Sequence, residues 1–370
     1  MKQYLLFSPG PTPIPLSVIA AMSQPIIHHR HEEFEELLKR VITKLQYTFQ
    51  TSEDVFIIAG SGTAAMETAV CNLLSVGDHV LVVNCGKFGK RWTEISNAFG
   101  LNVSEIEAEW GSAVGPEQIK NALLGNKKIK AVFITHCESS TGVTNDIKTI
   151  SSIVKLNSDA LVIVDAISSL AGEELRMDEW GIDVVVSASQ KGLMTPPGLS
   201  FISLSQRARG HLYKSDLPKY YLDLKKSVTA SKNFLTPWTP ATTLIVGLDA
   251  ALDIVVRETL ETIWERNKTY SSFIRDNCIQ MGLQMFSKNP SNIITAVKVP
   301  EGINGSLLLK ILKEDFGIVF AGGQGKLKNK IFRISNIGFI SQNEIEIMVN
   351  DLREVCRKNA QNSRKSQNNG

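Results

Sequence analysis

No stretch of this 370-residue chain reaches the roughly 18 consecutive apolar residues that a membrane-spanning helix needs. The apolar run near the N-terminus is also too short for a secretory signal, so we expect a cytoplasmic protein. Neither sign of charge predominates: the chain has 40 lysines and arginines and 37 acidic residues, so its net charge is only +3. No basic stretch is interleaved with aromatic residues, so nucleic-acid partners are not expected, and neither is a membrane partner.

Cysteine and histidine are also scarce, and neither is arranged as a metal site. The five cysteines show no CxxC spacing, which indicates reduced thiols rather than disulfides or metal ligands. His28, His29 and His31 cluster, but no carboxylate or cysteine motif completes a site, so no metal is expected. His28, His29 and Arg30 either extend a cleft towards an acidic substrate or lie on the surface, and the second interpretation is favoured.

Short apolar runs alternate with helical patterns through the first two-thirds of the chain. The runs are Val55–Ala59, His79–Val83, Val103–Glu107, Ala131–Thr135, Leu161–Asp165, Val184–Ser187 and Leu199–Leu204. This alternation predicts an α/β fold with a mainly parallel sheet that is covered by helices on both faces. Ligands of such sheets bind at the carboxyl ends of the strands.

The regular alternation of strands and helices ends at about residue 240. Two long helical patterns follow, and then the strands and helices of a second, smaller α+β unit. We therefore predict four segments. They are an N-terminal leader lining the cleft (1–20), a large α/β domain (21–255), a small C-terminal α+β domain (256–357) and a polar, disordered tail (358–370).

Lys191 is the most informative residue, because it follows a predicted buried strand and is flanked by small residues. Asp165 ends the preceding apolar run. An acid at one strand end and a lysine past the next is the pair that pyridoxal phosphate (PLP) chemistry requires. The lysine forms a Schiff base with the cofactor, and the acid keeps the pyridine nitrogen protonated.

Further polar groups follow other predicted strands. The turn Ala59–Glu67 opens a helix, and its glycines, Ser61 and Thr63 suit a single phosphate, although many such turns are glycine-rich. Phe88 is either a core anchor or an aromatic plate under a ligand ring. The hydroxyls of residues 139–141 either form hydrogen bonds with nearby backbone groups or place one hydroxyl against an oxygen of the cofactor. Glu138, which precedes them, is equally compatible with a purely structural role.

Two segments outside this region complete the candidate site. Arg333 lies on an alternating strand, where it is either an exposed arginine or a bidentate partner for a substrate carboxylate. Ser8–Pro15 is too rich in proline for a helix or central strand. It either crosses the surface or lines a substrate cleft, with Gly10 as the candidate contact.

Together these segments resemble the class V, or alanine–glyoxylate/serine–pyruvate, aminotransferases of fold-type I, from Pro9 to about Leu352. The agreeing pieces are Pro9–Thr12, Gly60–Thr63, Glu138–Gly142, Val164–Ser169, Met177–Asp183, Ser189–Lys191, Pro196–Gly198 and Arg333. The resemblance implies PLP as cofactor, and homodimers whose active sites are shared between subunits.

The resemblance also implies roles for individual residues. Lys191 corresponds to the Schiff-base lysine, Asp165 to the pyridine-nitrogen partner, Phe88 to the stacking ring, Ser140 to the hydroxyl near the phenolic oxygen, and Arg333 to the carboxylate-binding arginine. The residues matching the phosphate cup are Ser61, Gly62, Thr63 and Gln190. The segment 236–240 is similar to the loop that the neighbouring subunit donates, with Thr239 as the contact.

These roles predict ping-pong transamination, with alanine or serine as donor and glyoxylate or pyruvate as acceptor. Lys191 would act as the general base that moves the α-proton. Two alternatives stay open. One is an accessory subunit of the kind labelled soluble hydrogenase small subunit. The other is a cysteine desulfurase-type lyase, which is disfavoured because Phe88 and Gln190 stand where those enzymes place histidines.

Overall fold

The computed structural model describes the backbone of residues 4–368 and the side chains of residues 4–358. Its strands are β1 (Leu5–Leu6), β2 (Val55–Ala59), β3 (His79–Asn84), β4 (Asn102–Glu107), β5 (Ile129–Thr135), β6 (Cys137–Glu138), β7 (Val143–Thr144), β8 (Leu161–Asp165), β9 (Val184–Ala188), β10 (Leu199–Leu204), β11 (Ile294–Lys298), β12 (Ile318–Val319), β13 (Ala321–Gly322) and β14 (Ile331–Ser335). Its helices are α1 (Leu16–Met22), α2 (Glu32–Phe49), α3 (Gly62–Leu73), α4 (Lys87–Ala98), α5 (Pro116–Gly125), α6 (Ile147–Asn157), α7 (Gln206–Arg209), α8 (Leu224–Ser231), α9 (Thr242–Glu258), α10 (Leu260–Gln280), α11 (Gly305–Asp315) and α12 (Gln342–Asn368).

Seven strands form the central sheet, in the order β2-β10-β9-β8-β5-β3-β4. Only β10 runs antiparallel to its neighbours, because both of its pairings are antiparallel and the other pairings in the sheet are parallel. The predicted mainly parallel sheet is therefore confirmed. The carboxyl ends of β5, β8 and β9 lie side by side, and the polar residues that follow them share one edge.

Helices cover both faces of this sheet, since its inner strands are apolar on both sides. In β3, Leu81 and Val83 face one layer, which contains α2, α5, α6 and α9. Val80 and Val82 point to the opposite layer with α3 and α4. This alternation explains why the inner strands are continuous runs of valine, leucine and isoleucine.

A three-stranded antiparallel sheet, β11-β14-β13, forms the centre of the second unit. It packs with α11, α12 and the later part of α10. The helix α10 belongs to both cores, since Leu260 and Ile263 pack in the large one and Ile274 and Cys278 in the small one. The division at 255/256 stays a prediction.

The N-terminal leader ties the two units together. β1 pairs in parallel with β12 of the small unit. The proline-rich stretch Ser8–Pro15 is neither helix nor strand, and α1 follows it on the large unit, where Gly247 of α9 lies against Met22. The chain between Phe7 and Thr12 thus passes from one unit to the other.

The last helix continues through most of the segment 358–370 for which a disordered tail was expected. Lysine, arginine, glutamine and alanine have good helix propensity, and no proline interrupts this stretch. Residues 369 and 370 lie outside the described part of the chain. Within residues 4–368, no helix is both long enough and apolar enough to cross a membrane.

Candidate active site

Lys191 lies in the loop after β9 and is half-buried. Nζ donates a hydrogen bond to the carbonyl oxygen of Pro9 in the leader. Gly10 is the next residue, with a φ of +142°, and a β-carbon there would lie 2.7 Å from Lys191 Nζ. Only glycine accommodates both this backbone and this close approach. The residue predicted to bind substrate is therefore placed directly against the predicted catalytic lysine.

The leader also fixes the backbone around Lys191. The Thr12 hydroxyl donates to the Lys191 carbonyl oxygen over 2.9 Å, and the Thr12 amide donates to that of Gln190 over 3.2 Å. On the other side, the Ser335 amide at the end of β14 donates to the Phe7 carbonyl oxygen over 2.8 Å. The lysine loop and the small sheet are thus held by the same few residues.

Asp165 ends β8 in register with Thr135 of β5 and is only 3% exposed. Its Oδ1 accepts one hydrogen bond, from the Ile167 amide at 2.8 Å. Burial raises the pKa of Asp165 from 3.8 to about 7. The hydrogen bond from Ile167 and the positive charges of Arg91 and Lys191 lower this pKa, but burial has the larger effect. A cationic ligand group at this carboxylate would reverse the shift.

Lys191 is shifted in the opposite sense. Burial lowers its pKa from 10.5 to about 8, and the positive charge of Arg333 acts in the same direction. The attraction of Asp165 only partly opposes this. At pH 7.4 roughly a fifth of the amine is then neutral, far more than for an ordinary lysine, and the neutral form is the one that a nucleophile or general base requires.

The N-terminus of α3 offers a phosphate site next to this pair. Ser61 is the N-cap residue and makes no side-chain capping bond, so no side chain of the cap competes with a ligand for the amides of Gly62 and Thr63. Gly62 packs against the loop after Asp165, since a β-carbon there would lie 2.5 Å from Ile167 Cδ1. Arg91 Nη1 donates to the Thr63 hydroxyl over 3.2 Å and brings a positive charge to this end of the site.

Phe88 stands in the first turn of α4 with its ring half-buried. The Arg91 guanidinium carbon lies 4.8 Å from the centre of this ring. One face of the ring is thus in cation–π contact. This placement agrees with an aromatic plate at the edge of the site more than with a core anchor.

Glu138 was offered by the sequence as a structural partner, and the structure identifies its contacts. It is 0% exposed, and its Oε2 accepts from the amides of Phe88 and Gly89, both at 2.9 Å. Its Oε1 accepts from the Ser140 amide at 3.2 Å and from the Ser140 hydroxyl at 2.5 Å. Burial raises its pKa in spite of these bonds. Glu138 therefore holds the start of α4, including the Phe88 backbone, from inside the protein.

Ser140 differs from what the resemblance implies. Its hydroxyl donates to Glu138 and accepts from the Lys87 amide at 2.9 Å. A hydroxyl has one proton and two lone pairs, so only a lone pair is left for a ligand. Its contact with a phenolic oxygen stays a prediction, and in this structure the side chain supports α4.

Arg333 lies in the middle of β14 and is 4% exposed. Its Nε and Nη2 donate to the Gly322 carbonyl oxygen at 3.1 and 2.7 Å, and its Nη1 donates to that of Ser139 at 2.7 Å. Within the described side chains it forms no ion pair, and burial lowers its pKa to about 10. A buried guanidinium with only carbonyl partners is suited to bind an anion.

Of the remaining predicted residues, Gln190 lies next to Lys191, whereas Thr239 and residues 28–30 lie at the surface. The Gln190 side-chain oxygen is buried without a hydrogen bond, and rotating the amide would present its NH₂ group at the same place. Thr239 is exposed and lines a surface pocket beside the outer edge of β2. His28 stacks on His29 at 5.1 Å between ring centres, and Arg30 donates to the Thr236 carbonyl oxygen. These residues lie beside the Thr239 segment.

The donor set fits the PLP that the sequence implies. Lys191 supplies an amine for the aldehyde carbon, Asp165 a carboxylate for the ring nitrogen, Phe88 a flat apolar face, and α3 its first amides for the phosphate. The unpartnered Gln190 side-chain oxygen shows that this loop has unused hydrogen-bonding capacity. Among residues 4–358, no group of three or more histidine, cysteine or acidic side chains is arranged to hold a metal ion.

Comparison with known proteins gives matches over nearly the whole chain. Residues 4–346 match the family model described as Aminotransferase class-V. The chain is 42% identical to the soluble hydrogenase 42 kDa subunit of Anabaena cylindrica, over 95% of this chain and 92% of that protein. It is 35% identical to serine–glyoxylate aminotransferase of Hyphomicrobium methylovorum, over 91% and 85% of the two chains. It superimposes on the subgroup IV aspartate aminotransferase of Thermus thermophilus with a TM-score of 0.90 and 33% identity, over 95% and 99%.

Proposed function

The chain belongs to the class V aminotransferase family, and from that premise we propose that it transfers the amino group of alanine or serine to glyoxylate or pyruvate. The fold is that of the fold-type I PLP-dependent transferases, as the sequence predicts. The enzyme is a PLP-dependent aminotransferase. The observation that carries the substrate proposal is the buried Arg333, whose guanidinium meets only carbonyl oxygens.

The protein's own groups define what each end of the cofactor meets. Bound PLP supplies a carbon that takes up the amino group and a ring that accepts the electron pair of the Cα–H bond. Asp165, which is buried at the end of β8, holds the proton on the ring nitrogen. The amides of α3 and the charge of Arg91 balance the phosphate. The Phe88 ring covers one face and excludes water from it.

Lys191 moves the proton. Its amine would take the proton from Cα of the donor and give it up again later in the same half-reaction, so that Nζ is neutral at the start and at the end. This requires a neutral amine, which burial favours by lowering the pKa to about 8. The leader limits where Nζ can go, because Gly10 and the Pro9 carbonyl lie directly against it.

Arg333 orients the donor and the acceptor in turn. Both carry a carboxylate, and a guanidinium binds a carboxylate through two parallel hydrogen bonds. One site then serves both substrates, so the product of the first half-reaction must leave before the acceptor binds. This supports a ping-pong mechanism.

We also propose a homodimer with shared active sites, in which Thr239 contributes to the site of the other subunit. The support is the apolar surface around Thr239 in the single chain. Tyr220 is 71% exposed there, and its ring stacks on Trp238 at 5.2 Å between centres. Such an exposed aromatic patch is typical of a protein–protein contact.

A donor-by-acceptor panel with the purified enzyme tests the substrate proposal. Addition of alanine or serine without acceptor should remove the absorption at about 400–430 nm that lysine-bound PLP gives. It should also release one equivalent of the matching oxo acid, and glyoxylate or pyruvate should then restore the band. Lys191→Ala should lack the band and turn over nothing, whereas Lys148→Ala, an exposed change on α6, should behave as wild type. A band that alanine and serine leave unchanged contradicts the proposal.

The hydrogenase name of a 42% identical relative motivates one alternative, an accessory subunit. That function does not need amino-group exchange, so PLP-loaded protein would keep its band with every amino acid offered. The desulfurase alternative needs a reactive thiolate. Burial raises the pKa of each cysteine, to about 12 for Cys71, Cys85 and Cys278, to about 11 for Cys356, and well above the ordinary value for Cys137. None is therefore a reactive thiolate near neutral pH.

A further inference from the structure

Glu173 is a buried acid in the connection that follows β8, and it is only 5% exposed. None of its side-chain hydrogen bonds involves Lys191, Asp165 or Arg333. Within residues 4–358 it also forms no ion pair. Burying a carboxylate is costly unless hydrogen bonds replace its lost hydration. The donors around Glu173 therefore indicate what this carboxylate does.

These donors come from both units of the protein. In the segment that leads into β11 of the small unit, the Ser291 hydroxyl and the Asn292 amide donate to Glu173 Oε1 over 2.7 and 2.5 Å. From β7, beside the large unit, the Thr144 hydroxyl donates to Oε2 over 2.9 Å. Hydrogen bonds to a carboxylate are stronger than those between neutral groups. Glu173 thus fastens the start of β11 to the large unit.

Asn292 is also linked to the strand that carries Arg333. β11 pairs with β14 so that Ala296 lies opposite Arg333. Just after β14, the Asn336 side-chain amide donates to the Asn292 carbonyl oxygen over 3.0 Å. A displacement of Asn292 would therefore displace both strands, because the hydrogen bonds between them keep their register.

The small sheet meets the active site at the turn after β6. Arg333 Nη1 donates to the Ser139 carbonyl oxygen there. Gly142 of the same turn has a φ of +69°, and a β-carbon at this position would lie 3.0 Å from Ala296 Cβ. The Gly142 carbonyl oxygen also accepts from the Ser291 amide at 3.0 Å. The sheet is thus in close contact with this turn, and Glu173 holds the segment that presses it there.

We propose that Glu173 is a positioning residue for transamination, which sets where the Arg333 guanidinium meets the substrate carboxylate. The proposal rests on the transaminase function proposed above. Glu173 acts through the small sheet, whereas Asp165, Phe88 and α3, which meet the cofactor, belong to the large unit. Donor and acceptor use the same guanidinium in turn, so both should bind less well when Glu173 is lost.

Two substitutions of Glu173 in the holoenzyme test this role. Glu173→Ala leaves the Asn292 amide without an acceptor, so kcat/KM should fall about ten-fold for alanine and for glyoxylate alike. The absorption and affinity of PLP should be preserved. In Glu173→Gln, the amide oxygen still accepts from Asn292 and its NH₂ group donates to the Thr144 hydroxyl. This variant should stay within about three-fold of wild type. Glu36→Ala, an exposed change on α2, is the control.

A double-mutant cycle shows whether Glu173 acts through Arg333. In an Arg333→Lys background, Glu173→Ala should lower kcat/KM for alanine less than about two-fold, because the group that it positions is already gone. A ten-fold loss in that background would overturn the proposal. If Glu173→Ala does not fold, Ser291→Ala takes its place in the cycle, since it removes only one donor. Alone it should lower both kcat/KM values about three-fold, whereas Ser152→Ala, an exposed change on α6, should alter neither.

The failure of this proposal is distinguishable from that of the proposed function. If the wild-type enzyme takes no amino group from alanine or serine, the transaminase function is wrong. If it does, and Glu173→Ala has the kinetics of wild type, the positioning role is wrong and the transaminase function stands.

Discussion

Gly10 and Lys191 are in van der Waals contact across 181 positions of sequence, and the glycine has no room for a side chain. A β-carbon at position 10 would lie 2.7 Å from Cδ, Cε and Nζ of the lysine. The lysine is thus confined by the leader as well as by its own loop. This contact makes the leader part of the active site.

Gly10→Ala should therefore displace the lysine without unfolding the protein. We expect activity to fall at least about ten-fold, since a shift of an ångström in a catalytic group is costly. Thermal stability should also fall, by about 1 kcal/mol, because alanine is strained at this positive φ. Turnover and the absorption of bound PLP are the measurements. Gly125→Ala, at a position where a new β-carbon meets nothing within 4 Å, is the matched control. Equal activity in both variants would show that the contact is unimportant.

Arg333→Lys should weaken carboxylate binding. A lysine keeps the charge but cannot form the two parallel bonds, nor can it reach the Gly322 and Ser139 carbonyl oxygens together. KM for donor and acceptor should rise by about two orders of magnitude, whereas the PLP spectrum should be preserved. Arg257→Lys, an exposed change on α9, should leave KM unaltered. An unchanged KM in Arg333→Lys would remove Arg333 from the substrate site.

Glu138→Gln should loosen Phe88. An amide has one oxygen where the carboxylate has two, so either the α4 amides or Ser140 lose their acceptor. We expect affinity for PLP to fall about ten-fold, and the circular dichroism of the bound cofactor to change because its aromatic neighbour moves. Glu36→Gln, an exposed change on α2, should alter neither quantity. If Glu138→Gln kept the PLP affinity and the cofactor circular dichroism of wild type, Glu138 would have only a local structural role.

Asp165→Asn should stabilise the cofactor-free protein at high pH. The pKa of Asp165 is raised from 3.8 in the unfolded chain to about 7 in the folded state, so folding favours the protonated form. The stability of wild type accordingly falls as pH rises from about 4 to 7, and the loss is complete above 7. The asparagine variant avoids this loss and should exceed wild type by a few kcal/mol at pH 8.

Urea unfolding at several pH values measures this difference. The difference in unfolding free energy between the variant and wild type should be nearly constant above pH 7 and shrink from pH 7 to pH 5. Bound PLP should abolish it, because the protonated ring nitrogen then pairs with the carboxylate. If the stability difference between Asp165→Asn and wild type instead increased towards pH 5, the Asp165 carboxylate would not be the destabilising group. Activity should fall at least about a hundred-fold in the same variant, because the ring nitrogen loses its partner.

The central sheet was predictable because its strands are buried on both faces and so read as continuous apolar runs. The limits of β2, β5, β8 and β10 agree with the predicted runs to within two residues. Helix α2 was not predicted, although Phe34, Leu37, Leu38, Val41 and Leu45 repeat at helical spacing and are all buried. The sequence thus carries a local signal for α2.

Other features had no local signal. β1 pairs with β12, about 300 residues later, and no periodicity in either two-residue strand indicates its partner. The role of Glu138 depends on the start of α4, 50 residues earlier in the chain, so its sequence neighbours show only a hydroxyl-rich turn. Lys191 and Asp165 could be picked out as candidates because each follows the end of a predicted strand, and that position can be read from the sequence alone.

The leader links the small sheet to the lysine loop. Phe7 is hydrogen-bonded to the small sheet at Ser335 and Thr12 to the lysine loop, so only four residues span the two attachments. Such a short tether has almost no slack. Any displacement of the small sheet would therefore also displace the Pro9 carbonyl that accepts from the Lys191 amine. The position of the lysine thus depends on the position of the sheet that carries Arg333.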